Sequence, residues 1–239
     1  MRQLLAVAGV LATAVLAVGC GTEVHHTFQK PNIIFVLTDD QFPGTENGMP
    51  NLKSDVTLEN TYIFFSSDNG FHMGQHRFNQ GKETAYEEDI AVPMIVRGPG
   101  VPADATRQQL VLNQDLAPTF ADIADASVPN FVDGRSFLSV LGDNPPDAWR
   151  TGFLVQARVT EKRLQLITPM PTNIALRTAR YEYIDYPRGK DELYDMDRDP
   201  YQIDSIQASA PTDVLAQIRA QLKLLEGCGG DECRAAEGP

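Results

Sequence analysis

Residues 32–41 read NIIFVLTDDQ and residues 61–70 read TYIFFSSDNG. Each is a nearly continuous apolar run of strand length that ends in oxygen-bearing side chains, Asp39 and Asp40 in the first and Asp68 and Asn69 in the second. Such runs suit strands buried on both faces of a parallel sheet. A third candidate, PMIVRG at 93–98, is closed by PGVP. Between 111 and 126, VLNQDLAPTFADIADA repeats Leu112, Leu116, Phe120 and Ile123 at helical spacing, with Pro118 in its first turns. Buried strands alternating with helices predict an α/β layer architecture, a mostly parallel sheet flanked by helices.

Beyond this core the pattern changes. IALRTARYEYIDY (174–186) followed by the turn signal PRGKDELYDM (187–196) reads as an antiparallel hairpin, an appendage distinct from the parallel sheet. TDVLAQIRAQLKLLEG (212–227) reads as a terminal helix with a Thr212/Asp213 cap and a glycine stop. The expected division is a larger unit at 31–170 and a smaller one at 171–239. The 239 residues carry a formal net charge of −12 and no Lys/Arg-rich stripe, which argues against attachment to nucleic acid phosphates. No feature of the sequence sets an oligomeric state.

The first 20 residues, MRQLLAVAGVLATAVLAVGC, hold one cation at Arg2, an apolar run from Leu4 to Val18, and small residues before Cys20. The run is short for the ~20 residues of a membrane span and fits an export signal. Residues 1–19 are therefore expected to be a signal peptide and Cys20 the lipid-bearing cysteine of a bacterial lipobox. Residues 20–30 would then tether the protein to the outer face of the cytoplasmic membrane or to the cell surface, with His25 and His26 solvated. The remaining cysteines, Cys228 and Cys233, are separated by GGDE. An oxidising compartment permits a disulfide there, and Gly229 and Gly230 ease the closure; the other reading is a metal-binding pair.

Ligands of parallel α/β sheets bind beyond the carboxyl ends of the strands, so Asp39, Asp40, Asp68 and Asn69 are expected to converge. Three carboxylates in one place repel unless a cation neutralises them, and an all-oxygen set selects a hard ion, calcium ahead of magnesium. Taken alone, these residues could equally be turn formers and helix caps.

The wording around them decides the matter. KPNIIFVLTDDQ (30–41), TYIFFSSDNGFHMGQHR (61–77), GKETAYEEDIAVPMIVRGPGVP (81–102), DGRSFLSVL (133–141) and ELYDMDRDPYQ (192–202) resemble, in order, the sulfatase family of the alkaline-phosphatase-like superfamily. The wording is closest to bacterial relatives of the N-acetylglucosamine-6-sulfatases. The resemblance implies that Asp39, Asp40, Asp68 and Asn69 are calcium ligands and that Lys82 contacts the substrate sulfate. It also implies that His72 lies near the substrate, which would be a sulfated glycan or an aryl sulfate ester. A divalent cation and an ammonium would neutralise the charge that builds as the ester breaks. His76 and Arg77 would lie on the rim or on a plain surface loop.

One departure stands out. The family's nucleophile is a formylglycine made from the Cys or Ser of Cys/Ser-x-Pro-x-Arg, and no such motif occurs in these 239 residues. Between MPNLKS (49–54) and NTYIFFSSDNG (60–70), where relatives carry a long segment with that motif, only DVTLE intervenes. Thr45 and Ser54 have no base partner in sequence, so neither is supported as a substitute nucleophile. Two readings follow, a sulfatase by descent with no turnover as written, and a calcium-dependent sulfated-glycan-binding lipoprotein. A phosphoester-cleaving cousin is a third, disfavoured by Asn69 beside Asp68.

Overall fold

The computed structural model describes residues 30–44, 59–157, 173–187 and 190–239. The expected signal peptide, Cys20, the expected tether before Lys30, Thr45 and the MPNLKS stretch lie outside the described residues.

The first sheet contains β1 (Asn32–Thr38), β2 (Thr61–Ser67) and β3 (Met94–Arg97), in the order β1-β2-β3. β1 and β2 are parallel and in register from Asn32↔Thr61 to Thr38↔Ser67. β3 runs antiparallel to β2, so the sheet is mixed rather than mostly parallel. A parallel third strand needs a crossover, usually a helix of several turns. The chain between β2 and β3 offers only the four-residue α1 (Glu87–Ile90) and therefore returns in the opposite sense.

β2 is central and buried, and Tyr62 and Phe64 pack against Leu116 and Ile123 of α2 (Leu116–Ile123), with Phe137 and with Val140 of α3 (Leu138–Leu141). The helix expected over 111–126 divides: Asn113–Asp115 form a 3-10 turn and α2 begins at Leu116. Pro118 falls in the first turn, where its missing N–H has no intrahelical partner to lose. β1, expected to be buried on both faces, is instead the edge strand among the described residues, with Ile34 to Leu37 exposed.

The second sheet is antiparallel: β4 (Gly152–Ala157), β5 (Asn173–Thr178), β6 (Tyr181–Asp185) and β7 (Glu192–Asp195), in sequential order. The hairpin read at 174–186 is β5–β6. β4 precedes residue 171 yet pairs with β5 along its length, so the antiparallel layer begins before the expected division. One face of this sheet (Leu176, Tyr183, Leu193) packs on Ile218, Leu222 and Leu225 of α4 (Thr212–Glu226). Those three positions recur at i, i+4, i+7, the buried stripe of an amphipathic helix. The Thr212/Asp213 cap does not form: Pro211 is the N-cap residue, without a side-chain cap bond, and Thr212 is already helical. The opposite face (Ala175, Ile184, Tyr194) packs on Ala85 and Tyr86, from the segment leading into α1.

The C-terminal segment returns to the first sheet. Cys228 and Cys233 are joined by a disulfide at the start of α5 (Asp231–Ala236). Just beyond, Glu237 Oε2 accepts from Arg150 Nε at 2.7 Å and Arg135 Nη2 at 3.1 Å. Arg150 grips Asp115 with both terminal nitrogens, at 2.6 and 2.8 Å, and neither charged side chain of that pair is exposed. Asp115 also accepts the backbone N–H groups of Leu112 and Arg135. This buried network fixes the start of α2 to residues more than a hundred positions away.

Glu182 on β6 is wholly buried, and desolvation, reinforced by the Glu87 and Glu88 carboxylates, holds its pKa well above the ordinary carboxylate value. Its Oε2 accepts from Gln202 Nε2 at 2.8 Å. A carboxyl that binds its proton more tightly when folded costs stability as pH rises above its unfolded value, by up to about 1.4 kcal/mol per pH unit until the folded form ionises. Glu182→Gln keeps the shape without the charge. Its urea midpoint should match wild type near pH 4 and exceed it increasingly toward pH 8; parallel curves would refute the assignment.

Candidate functional site

The parallel register of β1 and β2 places residues 39–40 and 68–69 side by side at the carboxyl ends of the two strands. Backbone contacts carry the alignment past the strands: Asp68 N–H donates to Thr38 O at 3.2 Å and Gln41 N–H to Asn69 O at 3.1 Å. Gln41 N–H also reaches Ser67 Oγ at 3.1 Å, and Thr38 Oγ1 donates to Gln41 Oε1 at 2.8 Å. Asp40 has φ 56°, a left-handed conformation that aspartate tolerates better than most residues.

Lys82 occupies the centre. Its Nζ donates to Asp40 Oδ1 at 2.7 Å, Asn69 Oδ1 at 3.0 Å and Asp39 Oδ1 at 3.3 Å. Asn69 Nδ2 donates in turn to Asp40 Oδ1 at 2.8 Å and Gly70 O at 2.8 Å, which fixes the orientation of the amide. The Lys82 hydrogen bond holds the Asp40 carboxyl below the usual carboxylate range, and Asp40 reciprocally raises the Lys82 ammonium. Asp39, Asp40, Asn69 and Lys82 are thus brought together. Asp68 stands beside them, its Oδ1 accepting the N–H of Asn69 at 2.8 Å.

His72 is placed differently from the sequence expectation. Its ring is buried, with Nδ1 at 2.8 Å from Asp89 Oδ1 and Nε2 at 2.9 Å from the carbonyl of Asn79. Both ring nitrogens therefore lie against protein oxygens and neither is left to face a substrate. His72 instead positions Lys82: its backbone forms a bridge with Gly81, next to the lysine, through N–H to O contacts of 2.9 and 3.1 Å. His76 lies outside the cluster and stacks on Tyr86 with centroids 3.7 Å apart.

Sequence reasoning missed Asp89. Beyond His72, its carboxylate accepts the N–H of Thr84 at 2.8 Å and the Thr84 hydroxyl at 2.6 Å, while its backbone carbonyl accepts Gly70 N–H at 2.8 Å. One residue of α1 therefore joins the loop after Asn69 to the loop carrying Lys82. Gly70 is required by this approach, because a Cβ there would lie 2.0 Å from the carbonyl oxygen of Glu88. The same segment is clamped to the antiparallel sheet by Tyr86, whose hydroxyl donates to Glu192 Oε2 at 2.8 Å. Asn113, also unread, donates to the carbonyls of Ser67 at 2.9 Å and Asp68 at 3.1 Å.

Among the described residues no three His, Cys, Asp or Glu side chains lie close enough to hold a metal ion. With the amide of Asn69 included, three hard oxygens converge on one positive charge, that of Lys82. That donor set fits calcium or magnesium and does not suit softer metals.

The sequence profile of the N-sulphoglucosamine sulphohydrolase C-terminal family matches residues 74–227. The chain belongs to the sulfatase family. N-acetylglucosamine-6-sulfatase of Bos taurus is 33% identical over 216 residues, covering 79% of this chain and 39% of the relative. An extracellular sulfatase SULF-1 homolog of Drosophila melanogaster is 41% identical over 109 residues, covering 44% of this chain and 10% of the relative. Among solved sulfatase structures, BT4656 in complex with its substrate D-glucosamine-2-N,6-O-disulfate matches with a TM-score of 0.66 and 26% identity. That match covers 80% of this chain and 37% of BT4656. The chain thus spans about two fifths of the length of the N-acetylglucosamine-6-sulfatases it matches, 39% for the bovine one.

Proposed function

We propose that this protein recognises sulfated sugars through the cluster of Asp39, Asp40, Asn69 and Lys82, with calcium as its cation, and that as written it does not hydrolyse them. The observation that carries the reading is the convergence of three oxygens from two strand ends on the Lys82 ammonium. Such an arrangement supplies a seat for a hard cation and, beside it, a positive side chain for a sulfate oxygen. When bound, calcium would add Lewis-acid polarisation of the sulfate. Asp39, Asp40 and Asn69, with Asp68 at its flank, would hold the ion. Lys82 would turn from the carboxylates to the sulfate, while His72 and Asp89 keep its loop in place. The substrate class follows the relatives: one is named for N-acetylglucosamine 6-sulfate esters, and BT4656 binds a 2-N,6-O-disulfated glucosamine. Export with a lipid on Cys20 fits this reading, since extracellular sulfatases are among the relatives.

The test separates the two ligands by calorimetry. Lys82→Ala should bind calcium more tightly than wild type, because a competing cation has left the oxygens, and should bind D-glucosamine-2-N,6-O-disulfate at least about tenfold more weakly. A charge-assisted hydrogen bond of about 1.5–3 kcal/mol sets that scale. Asp39→Ala with Asp40→Ala should abolish calcium binding. A Lys82→Ala protein that binds the disulfated sugar as wild type does would sink the reading.

A further inference from the structure

β1 is the edge of its sheet, and among the described residues no strand pairs with its outer side. Successive side chains of a strand point to opposite faces, yet Ile34, Phe35, Val36 and Leu37 are all between 37% and 53% exposed. A long apolar edge of this kind is a template for a further strand. The described residues offer none of the usual protections: no charge within the run, no proline inside it, no bulge opposite β2.

The sequence of this edge specifies its occupant. From Lys30 to Asp40 it reads KPNIIFVLTDD, which is nearly palindromic in character about Phe35. Laid antiparallel against itself with Phe35 opposite Phe35, it sets Ile34 opposite Val36 and Ile33 opposite Leu37. Asn32 then meets Thr38, and Lys30 meets Asp40. From Asn32 to Thr38 apolar faces apolar and polar faces polar; beyond, Pro31 faces Asp39 and Lys30 faces the Asp40 carboxylate at both ends. A slip of one residue in one direction opposes Ile33 to Thr38 and Lys30 to Gln41, and a slip in the other opposes Asn32 to Leu37 while Lys30 meets Asp39. Opposite side chains in an antiparallel pair are the unit of sheet stability, so the matched register is selected. Lys30 donates to Ala124 O within its own chain, and its ammonium has two further hydrogens for the facing carboxylate.

We propose that two copies of this chain associate through β1, antiparallel about a two-fold axis at Phe35, to form one continuous six-stranded sheet. The contact is isologous and closed, because each copy uses the same strand and no outer β1 edge remains. Lys30 of the partner subunit then sits at the rim of the Asp39–Asp40 cluster. The inference rests on the edge strand and its pattern, not on the sulfate-binding reading.

Sedimentation equilibrium of the full chain in density-matched detergent should give the mass of two chains, and Leu37→Lys should give the mass of one. Register is tested by cross-linking. Cα atoms of directly opposed antiparallel residues lie about 4.5–5.5 Å apart, within the span of a disulfide. Phe35→Cys should therefore oxidise to a covalent dimer, whereas Leu37→Cys, whose counterpart is four positions out of line, should not. Should Phe35→Cys fail to fold, the wild-type and Leu37→Lys masses still decide. A single-chain mass at all concentrations, a dimer that survives Leu37→Lys, equal cross-linking at 35 and 37, or pairing only with an added foreign strand peptide would each overturn the proposal.

Discussion

Incubated with calcium and a fluorogenic aryl sulfate, after co-expression with a formylglycine-generating enzyme, the protein is expected to release no phenol above the level of an Asp39→Ala, Asp40→Ala double variant. The described site brings together Asp39, Asp40, Asn69 and the Lys82 ammonium. It supplies no activated nucleophile: the His72 ring is buried and fully hydrogen bonded, and the nearest hydroxyls, Thr38, Ser67 and Thr84, are committed to neighbouring oxygens. The sequence has no Cys/Ser-x-Pro-x-Arg from which a formylglycine could be made. Removing a nucleophile from a cooperative catalytic set costs on the order of 10⁴ to 10⁶ in rate, which places the residual activity below detection. Turnover by wild type that the double variant abolishes would show that a nucleophile has been overlooked.

Arg150→Met should lower unfolding free energy by about 3–5 kcal/mol, read as a fall in the urea midpoint at unchanged slope. Arg150 touches Asp115 through two nitrogens and Glu237 through a third, all out of contact with water. Without it the Asp115 carboxylate stays buried with only backbone N–H partners and Glu237 keeps only Arg135, which accounts for most of the loss. Two comparisons isolate the cause. Arg150→Met combined with Asp115→Leu and Glu237→Gln removes the stranded charges and should recover much of the stability. Arg198→Ala, which breaks an exposed contact with Asp195 at 3.8 Å, should cost no more than about 1 kcal/mol. Equal losses in Arg150→Met and in the triple variant would mean that packing, not charge, is at stake.

The convergence of Asp39, Asp40 and Asn69 was legible because its determinants are local. An apolar run followed by Asp-Asp or Asp-Asn names the strand and its carboxyl end together, and parallel pairing does the rest. The position of Lys82 was legible from wording alone; its embrace by Asp39, Asp40 and Asn69 was not. Asp89 escaped notice because its partners, His72, Thr84 and Gly70, come from separate turns that meet only in space. Within EED, nothing marks one acid as the buried one. The role expected of His72 failed for the same reason: sequence proximity to a site does not say which way a ring turns. β4 was unread because six residues of modest apolarity acquire a strand's identity only from β5. The exposure of β1 could not be read either. Its apolar pattern describes a strand with neighbours on both sides, and the number of neighbours is a property of the whole sheet.

The junction of Asp115, Arg150 and Glu237 also orders events in time. Its three members emerge from the ribosome far apart: Asp115 can meet the terminal nitrogens of Arg150 early, but Arg150 Nε and the guanidinium of Arg135 wait for the carboxylate of Glu237. Until the stretch around Glu237 has been made, the first layer holds Arg135 without its carboxylate partner and Arg150 with one nitrogen unfilled. Closing so long a loop is slow and comes late in folding. Consolidation of the first layer with the C-terminal segment therefore belongs to the last stage of folding, after the residues around Glu237 have become available.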